Sequence, residues 1–369
     1  MSKADEADRR RLNDLFVELC RIESPSGREA ECSARVRAEL EALGLAVEAD
    51  AAGNLLARLA GADGAAVMLC AHLDTVKLEA PVEPALVDEG WENANDGILG
   101  ADNKAAVAML LAIARRAAAA QPPIGLELLF TVSEEVGLVG AQAFDLAKLR
   151  SRFGYVFDHA TPIGEVVLAA PTYYRIEADF QGAAAHAGIR PEHGRSAIAA
   201  AAGAVAAMRL GRLDEETTAN VGRIAGGGES TNVVPEHCRV EAEARSLDTG
   251  KAEAVVAEMV DHIHDGANAF ECDVDVSVER LWPAYRIRPA ALAVAVAEAA
   301  LRSGGYEPRH IVTGGGSDAN AFNAAGFECV NLANGTERNH EPGERVSVAA
   351  LEGMLDVTLA LVDEAAARC

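Results

Sequence analysis

Apolar runs of strand length alternate with helix-period segments from residue 45 to residue 158, and again from residue 290 to the end. Only the stretch between residues 171 and 283 breaks this rhythm. Such alternation is the pattern of a largely parallel sheet with helices on both faces. Helical periods at 8–20 and 29–43 flank the breaker Ser24-Pro25-Ser26-Gly27. Strands are predicted at 45–48, 55–59, 66–71, 125–132 and 155–157, and helices at 104–120 and 141–149, with a polar stretch running to Leu99. Pro122 and Pro123 stop the first of these helices. The interrupting segment reads strand 173–180, helix 196–210, strands 220–225 and 238–246, helix 251–268 and strand 272–279. That order is βαββαβ, the split βαβ of a small open sandwich. Helices at 290–303, 318–325 and 348–367 and strands at 311–313 and 329–332 then resume the first rhythm. A chain of 369 residues exceeds the roughly 250–300 that one core supports. The predicted architecture is a discontinuous α/β domain, residues 1–170 and 284–369, carrying an inserted α+β ferredoxin-like domain at 171–283.

Half the residues are apolar and only 4% are aromatic, so the cores should be built from Ala, Val and Leu. The formal net charge of −24 repels nucleic acid and anionic membranes and makes both poor partners. Seven cysteines without a CxxC pair argue against a disulfide framework and a four-cysteine zinc site. No apolar run approaches the roughly 20 residues of a membrane span, and the first residues lack an apolar signal core. A soluble, cytoplasmic protein is expected.

Chemistry is concentrated in four short stretches: His72-Leu73-Asp74-Thr75, Gly100-Ala101-Asp102-Asn103-Lys104, Ser133-Glu134-Glu135-Val136-Gly137 and Asn339-His340-Glu341-Pro342. Asp158 stands alone between the last two. Two imidazoles, three carboxylate ligands and one further carboxylate as base are what a pair of divalent cations needs to hydrolyse an amide. His72, Glu134, Glu135 and Asp158 each follow a predicted strand, and open α/β sheets bind ligands beyond the carboxyl ends of their strands. His72 and Asp74 stand two apart, so Asp74 can accept from the ring N–H turned away from the metal. Asp102 offers two oxygens to bridge cations, although helix capping is the plainer use of Asp there. Adjacent Glu134 and Glu135 repel each other unless a cation lies close, in which case one ligates and the other takes a proton from water. A solvated loop is the alternative. His159 competes with Asp158 as a ligand. Gly314-Gly315-Gly316-Ser317-Asp318 lacks the Lys of a phosphate loop and fits better as a tight loop through which backbone approaches a ligand.

Together these stretches resemble the M20 family of metallopeptidases, on its peptidase T-like branch. Pro25-Ser26-Gly27, His-Leu-Asp-Thr from 72, Gly-Ala-Asp-Asn-Lys from 100, Ser-Glu-Glu-Val-Gly from 133, the Ala-rich stretch around His186, Asn232-Val233-Val234-Pro235, the Gly-Gly-Gly-Ser-Asp loop and Asn-His-Glu-Pro occur in family order. The resemblance implies His72 and Asp158 on one metal, Glu135 and His340 on the other, Asp102 between them, Asp74 behind His72 and Glu134 as general base. It implies that the inserted domain is a lid and dimer contact. His186 would then stabilise the oxyanion from the partner subunit, with Asn232 on the substrate carbonyl and Arg245 on its carboxylate. An Asn at 103, where relatives commonly carry a second Asp, removes one charge. Asp rather than Glu at 158 accompanies aminopeptidase-like and dipeptidase-like members.

The expected activity is two-metal hydrolysis of di- and tripeptides by an aminopeptidase. Zinc is the first choice of cation, and cobalt or manganese also fits the carboxylate-rich set. The expected partners are a short peptide and a second copy of the chain. An N-acyl amino acid deacylase or a carboxypeptidase-type amidohydrolase on the same site is the alternative. A silent peptide-binding module and a structural oligomer are further readings, and the presence of Glu134 argues against the first, because binding alone needs no base.

Overall fold

The computed structural model describes residues 3–62 and 64–369. The chain divides into two compact units. The first holds residues 3–169, 286–312 and 317–369, and the second residues 170–285 and 313–316.

The first unit is built on a mixed sheet. Its centre consists of strands Gly125–Thr131, Ala66–His72, Phe153–His159 and Glu328–Ala333, adjacent in that order and parallel throughout. Gly125–Thr131 is buried at every position, which requires cover on both faces. Leu55–Leu59 and then Val47–Ala49 extend one side in antiparallel register. Helix Ala101–Ala119 is buried along most of its length, and its many alanines let it approach closely. The core is mainly Ala, Val and Leu, with Phe16, Phe130, Tyr155, Phe157 and Phe322 as its largest fully buried apolar side chains in this unit.

Several elements differ from the sequence expectations. Strand Glu165–Ala170 has no counterpart among the predicted elements, yet it pairs with Arg309–Val312 and Glu328–Ala333. The polar stretch before Leu99 folds into the hairpin Pro84–Val87 and Gly90–Asn93, which joins Arg345–Ser347 and Thr336–Glu337 in a small antiparallel sheet. The helix expected at 141–149 is a short Val139–Ala143 helix followed by a 3-10 turn, Leu146–Lys148. Phe144 is extended between them and Asp145 caps the second, so the helical path is cut.

Gly140 fixes the chain next to the predicted base. Its N–H donates to Val132 O at 3.0 Å, and its carbonyl accepts from Asn54 Nδ2 at 2.9 Å. A Cβ there would stand 2.3 Å from Val132 O and 2.5 Å from Asn54 Oδ1. Gly140→Ala is expected to cost about 1–3 kcal/mol through overpacking. The check is the urea midpoint of the metal-free protein, and an unchanged midpoint would contradict the close approach.

The second unit is a five-stranded antiparallel sheet. Strand Thr172–Gln181 lies between His237–Ser246 and Asp273–Trp282, Thr217–Gly226 lies beyond His237–Ser246, and Gly211–Arg212 forms the far edge. Helices Ala197–Ala207 and Thr249–Ala269 cover one face through a core of Ile176, Phe180, Ala200, Ala204, Met259 and Ile263. The Gly-rich loop belongs here in part. A Cβ on Gly316 would stand 2.4 Å from the Trp282 ring, so the close approach that this glycine permits is to an indole of the same unit.

Candidate metal centre

The four central strands bring their carboxyl ends together at one edge of the sheet. His72 ends the second strand in this order, Asp158 lies next to last in the third, Ser133-Glu134-Glu135 follows the first, and His340 lies beyond the fourth, in the loop between Thr336–Glu337 and Arg345–Ser347. Asp102 sits at the start of helix Ala101–Ala119, after Gly100 in the left-handed region at φ +76°, and its own backbone is not helical.

These residues converge. His72 Nε2 lies 3.2 Å from Asp102 Oδ1 and 3.6 Å from Asp158 Oδ1. His340 Nε2 lies 3.2 Å from Asp102 Oδ2 and 3.0 Å from Glu135. Donor atoms of His72, Glu134 and Asp158 all lie within 4.8 Å of one another, and so do those of His72, Asp102 and Glu135. His159 belongs to neither set.

Asp74 meets the His72 ring through both its main chain and its carboxylate. The ring nitrogen Nδ1 of His72 faces the main-chain carbonyl of Asp74 at 3.0 Å, with the carboxylate farther off at 3.5 Å. A carbonyl accepts only, so Nδ1 carries the proton and Nε2 is free to ligate. The Asp74 carboxylate mainly builds the neighbouring turn. It accepts from the N–H groups of Glu134 at 2.9 Å and Glu135 at 3.1 Å, and from Ser26 Oγ at 2.6 Å. Glu29 adds a second clamp, accepting from Gly27 N, Ser133 N and Ser133 Oγ at 2.8, 3.1 and 3.0 Å. Ser133 has φ +55°, a conformation a non-glycine residue adopts only when its surroundings hold it. Sequence reasoning gave no role to Ser26 or Glu29. The one available signal was their position in and beside Pro25-Ser26-Gly27.

Among the described residues, the cationic groups paired with these carboxylates are the two imidazoles. Burial pushes Asp158 up to about 7, and Asp102 adds to it. Burial, then Asp158 and Glu135, hold Glu134 well above the usual carboxylate range, and burial also raises Glu135. Burial opposes charge on His72, yet Asp158, Asp102 and Asp74 together hold its pKa well above the ordinary value. Hydrogen bonding to Asp102 and then Glu135 pushes His340 up to about 10. Burial alone would raise Asp102, but His340 and His72 outweigh it and hold Asp102 below the usual range. The pocket therefore has more carboxylate than two imidazoles can balance. Oxygen and imidazole donors in such an excess fit divalent cations, whose binding displaces the imidazole protons.

The remaining predicted site residues lie in the second unit. His186 and Val233 form an isolated β-bridge, and Ala187 N donates to Asn232 O at 2.8 Å, so His186 and Asn232 sit on neighbouring chain segments. His186 Nδ1 accepts from Gly188 N, and Asn232 Oδ1 from Ser230 Oγ. The guanidinium of Arg245 is held by Glu243 through Nε and Nη2, both at 3.0 Å, and donates to Gly314 O through Nη1. It also lies 4.3 Å from the centroid of the Tyr173 ring.

Residues 172–271 match the peptidase dimerisation domain of the M20 enzymes, and residues 54–181 match peptidase family M28. The Bacillus subtilis protein YqjE is 35% identical over 97% of this chain and 99% of its own. The crystal structure of aminopeptidase PepT from Bacillus cereus superposes with a TM-score of 0.82 at 36% identity, covering 96% of this chain and 98% of that one. A tripeptidase from Staphylococcus aureus gives a TM-score of 0.89 at 33% identity, over 98% and 99% of the two chains. The M28 match stops at the end of the first strand of the second unit, whereas the likeness to these peptidases runs the length of the chain. With that full-length likeness and a donor cluster suited to divalent cations, the chain belongs to the M20 metallopeptidases, on their peptidase T-like branch, and hydrolyses peptide bonds.

Proposed function

We propose that the chain is a two-metal aminopeptidase acting on di- and tripeptides. His72 and Asp158 would hold one cation and Glu135 and His340 the other, with Asp102 shared between them. The observation that carries this reading is the aim of Asp102, whose Oδ1 faces His72 and whose Oδ2 faces His340. Zinc, or cobalt or manganese in its place, would supply Lewis acidity there and lower the pKa of water toward about 7.

The protein's own share of the chemistry is proton handling and positioning. Glu134, buried with its carboxylate within 4.8 Å of the donor atoms of His72 and Asp158, takes the proton of the attacking water and returns it to the leaving amine. Asp74 and Glu29 hold its turn, so that the base is in place before substrate arrives. The roles of His186 on the oxyanion, Asn232 on the substrate carbonyl and Arg245 on its carboxylate rest on the likeness of their motifs to those of the family. The planar fork of Arg245 matches a carboxylate, and Glu243 holds its Nε–Nη2 edge in place. The homodimer through the second unit is supported by the match to the dimerisation domain. A cytoplasmic home is supported by seven cysteines that are all free, and no helix among the described residues is long and apolar enough to cross a membrane.

Purified protein should contain two equivalents of transition metal per chain and lose activity on chelation. It should cleave di- and tripeptides with a free amino terminus. Cleavage confined to N-acetylated substrates would move the assignment to a deacylase, and failure to bind any transition metal would end the two-metal reading.

A further inference from the structure

Glu344 is 1% exposed and belongs to none of the donor groups above. Its carboxylate faces the turn that delivers Asp102. Oε2 accepts from Leu99 N at 2.8 Å and Gly100 N at 2.7 Å, and Oε1 accepts from Asp102 N at 2.8 Å. These amides open helix Ala101–Ala119, whose N-cap position is Gly100 and has no side chain to satisfy them. A carboxylate more than 240 positions away does so instead. Burial pushes the Glu344 carboxyl up to about 7, while the three amides oppose that rise by favouring its charged form, to which the helix N-terminus adds its dipole.

The same loop also holds the other end of Asp102. Asn339 Nδ2 donates to Asp102 Oδ2 at 2.7 Å, beside His340. Arg338 and His340 occupy the left-handed region at φ +58° and +67°, a conformation that needs an anchor. Glu344 N donates back to Glu341 O at 3.1 Å and closes the loop. Asp102 is thus fixed at its main-chain nitrogen and at one carboxylate oxygen by residues of one segment. With both ends held, its two oxygens have little choice but to point at the two imidazoles.

We propose that Glu344 is a positioning residue that locks the Asp102 turn, and with it the His340 loop, into bridging geometry before any cation binds. The proposal rests on the reading of Asp102 as the bridge. Glutamine cannot replace Glu344 in this role, because one of its two terminal groups is a donor and would face an N–H. Aspartate keeps the charge but is one methylene too short to reach all three amides.

The experiment compares metal-free wild type, Glu344→Gln and Leu301→Ala. The last truncates a buried side chain of helix Leu292–Ser303 and serves as a destabilised control. Zn2+ and Co2+ affinities are measured by chelator competition, the Co2+ d–d spectrum is recorded, and amide exchange is followed at Leu99, Gly100 and Asp102. Loss of such an outer partner weakens metal binding roughly 10–100-fold. That drop, with an altered Co2+ spectrum, is expected for Glu344→Gln and not for Leu301→Ala. Wild-type affinity in Glu344→Gln would overturn the proposal and leave the two-metal reading standing. A wild-type protein that binds no transition metal would end the two-metal reading, while exchange still decides whether Glu344 holds the turn. If Glu344→Gln does not fold, the wild type alone decides. The three amides should already be protected without metal, and protection that appears only on adding Zn2+ would refute preorganisation.

Discussion

Glu134→Gln is expected to lose turnover by about 10²–10⁴-fold, the range ascribed to a positioned acid–base group, while binding cations as the wild type does. The substitution preserves shape and removes the ability to take a proton. Glu134 is the carboxylate best suited to that task. It is buried, its backbone N–H is held by Asp74, and its donor oxygen lies within 4.8 Å of those of His72 and Asp158. A second readout has a definite sign. Burial and then Asp158 raise the Glu134 pKa well above its unfolded value in the metal-free fold. A carboxyl raised on folding stabilises the protonated form, so the metal-free fold loses stability as pH rises above about 4.5 and toward the folded value. Glutamine carries no charge and escapes this loss. Metal-free Glu134→Gln should therefore melt at or above the wild-type temperature at pH 8. Calorimetry on the stripped protein and initial rates on the loaded protein test the two halves separately. Retained turnover would remove Glu134 from its role.

What could be read from the sequence follows from how local the causes are. Leu55–Leu59 and Ala66–His72 stand out because each is an apolar run bounded by polar or breaking residues. Glu165–Ala170 is as apolar, but only Pro171 separates it from the next strand, so no boundary marked it as an element of its own. The Pro84–Asn93 hairpin is half exposed and lacks a continuous apolar face, so no period betrayed it. In the centre, His72, Glu134, Glu135 and Asp158 could be picked out because they follow strands, and strand ends converge. Ser26, Glu29 and Glu344 could not. Each acts through hydrogen bonds to partners 48, 104 and more than 240 positions away, and nothing in the residues around them announces such a bond. Asp74 shows the same limit within a motif. Its spacing from His72 pointed to the ring, but the fold turns its carboxylate mainly to the backbone of Glu134 and Glu135.

Asp102→Asn should weaken cation binding by more than the roughly 10–100-fold that an outer-shell partner costs, because it alters the carboxylate that faces both His72 and His340. An amide has one oxygen. Facing His72 with it presents N–H groups toward His340, and the reverse choice strips His72. Metal content after dialysis and initial rates should both collapse, and retention of two cations would remove Asp102 from the bridging role. The metal-free variant adds a test that needs no cation, with a sign opposite to that of Glu134→Gln. His340 and His72 overcome burial and hold Asp102 below its unfolded pKa. A carboxylate lowered on folding contributes stability above its unfolded pKa, near 3.9, and loses it as pH falls through the folded value. Asparagine forfeits that contribution at neutral pH, so metal-free Asp102→Asn should melt below wild type where Glu134→Gln does not. The histidines report the same change. Asp102 is the first cause of the rise of His340 to about 10, so its ring protons should titrate nearer the ordinary value in Asp102→Asn. In the wild type, the ion pairs of His340 give stability fully present below about 6.5 and lost as pH climbs toward the folded value. A proton NMR titration of the stripped proteins measures both. An unmoved His340 would mean that Glu135 alone supports the imidazolium and that the two clusters are not joined through Asp102.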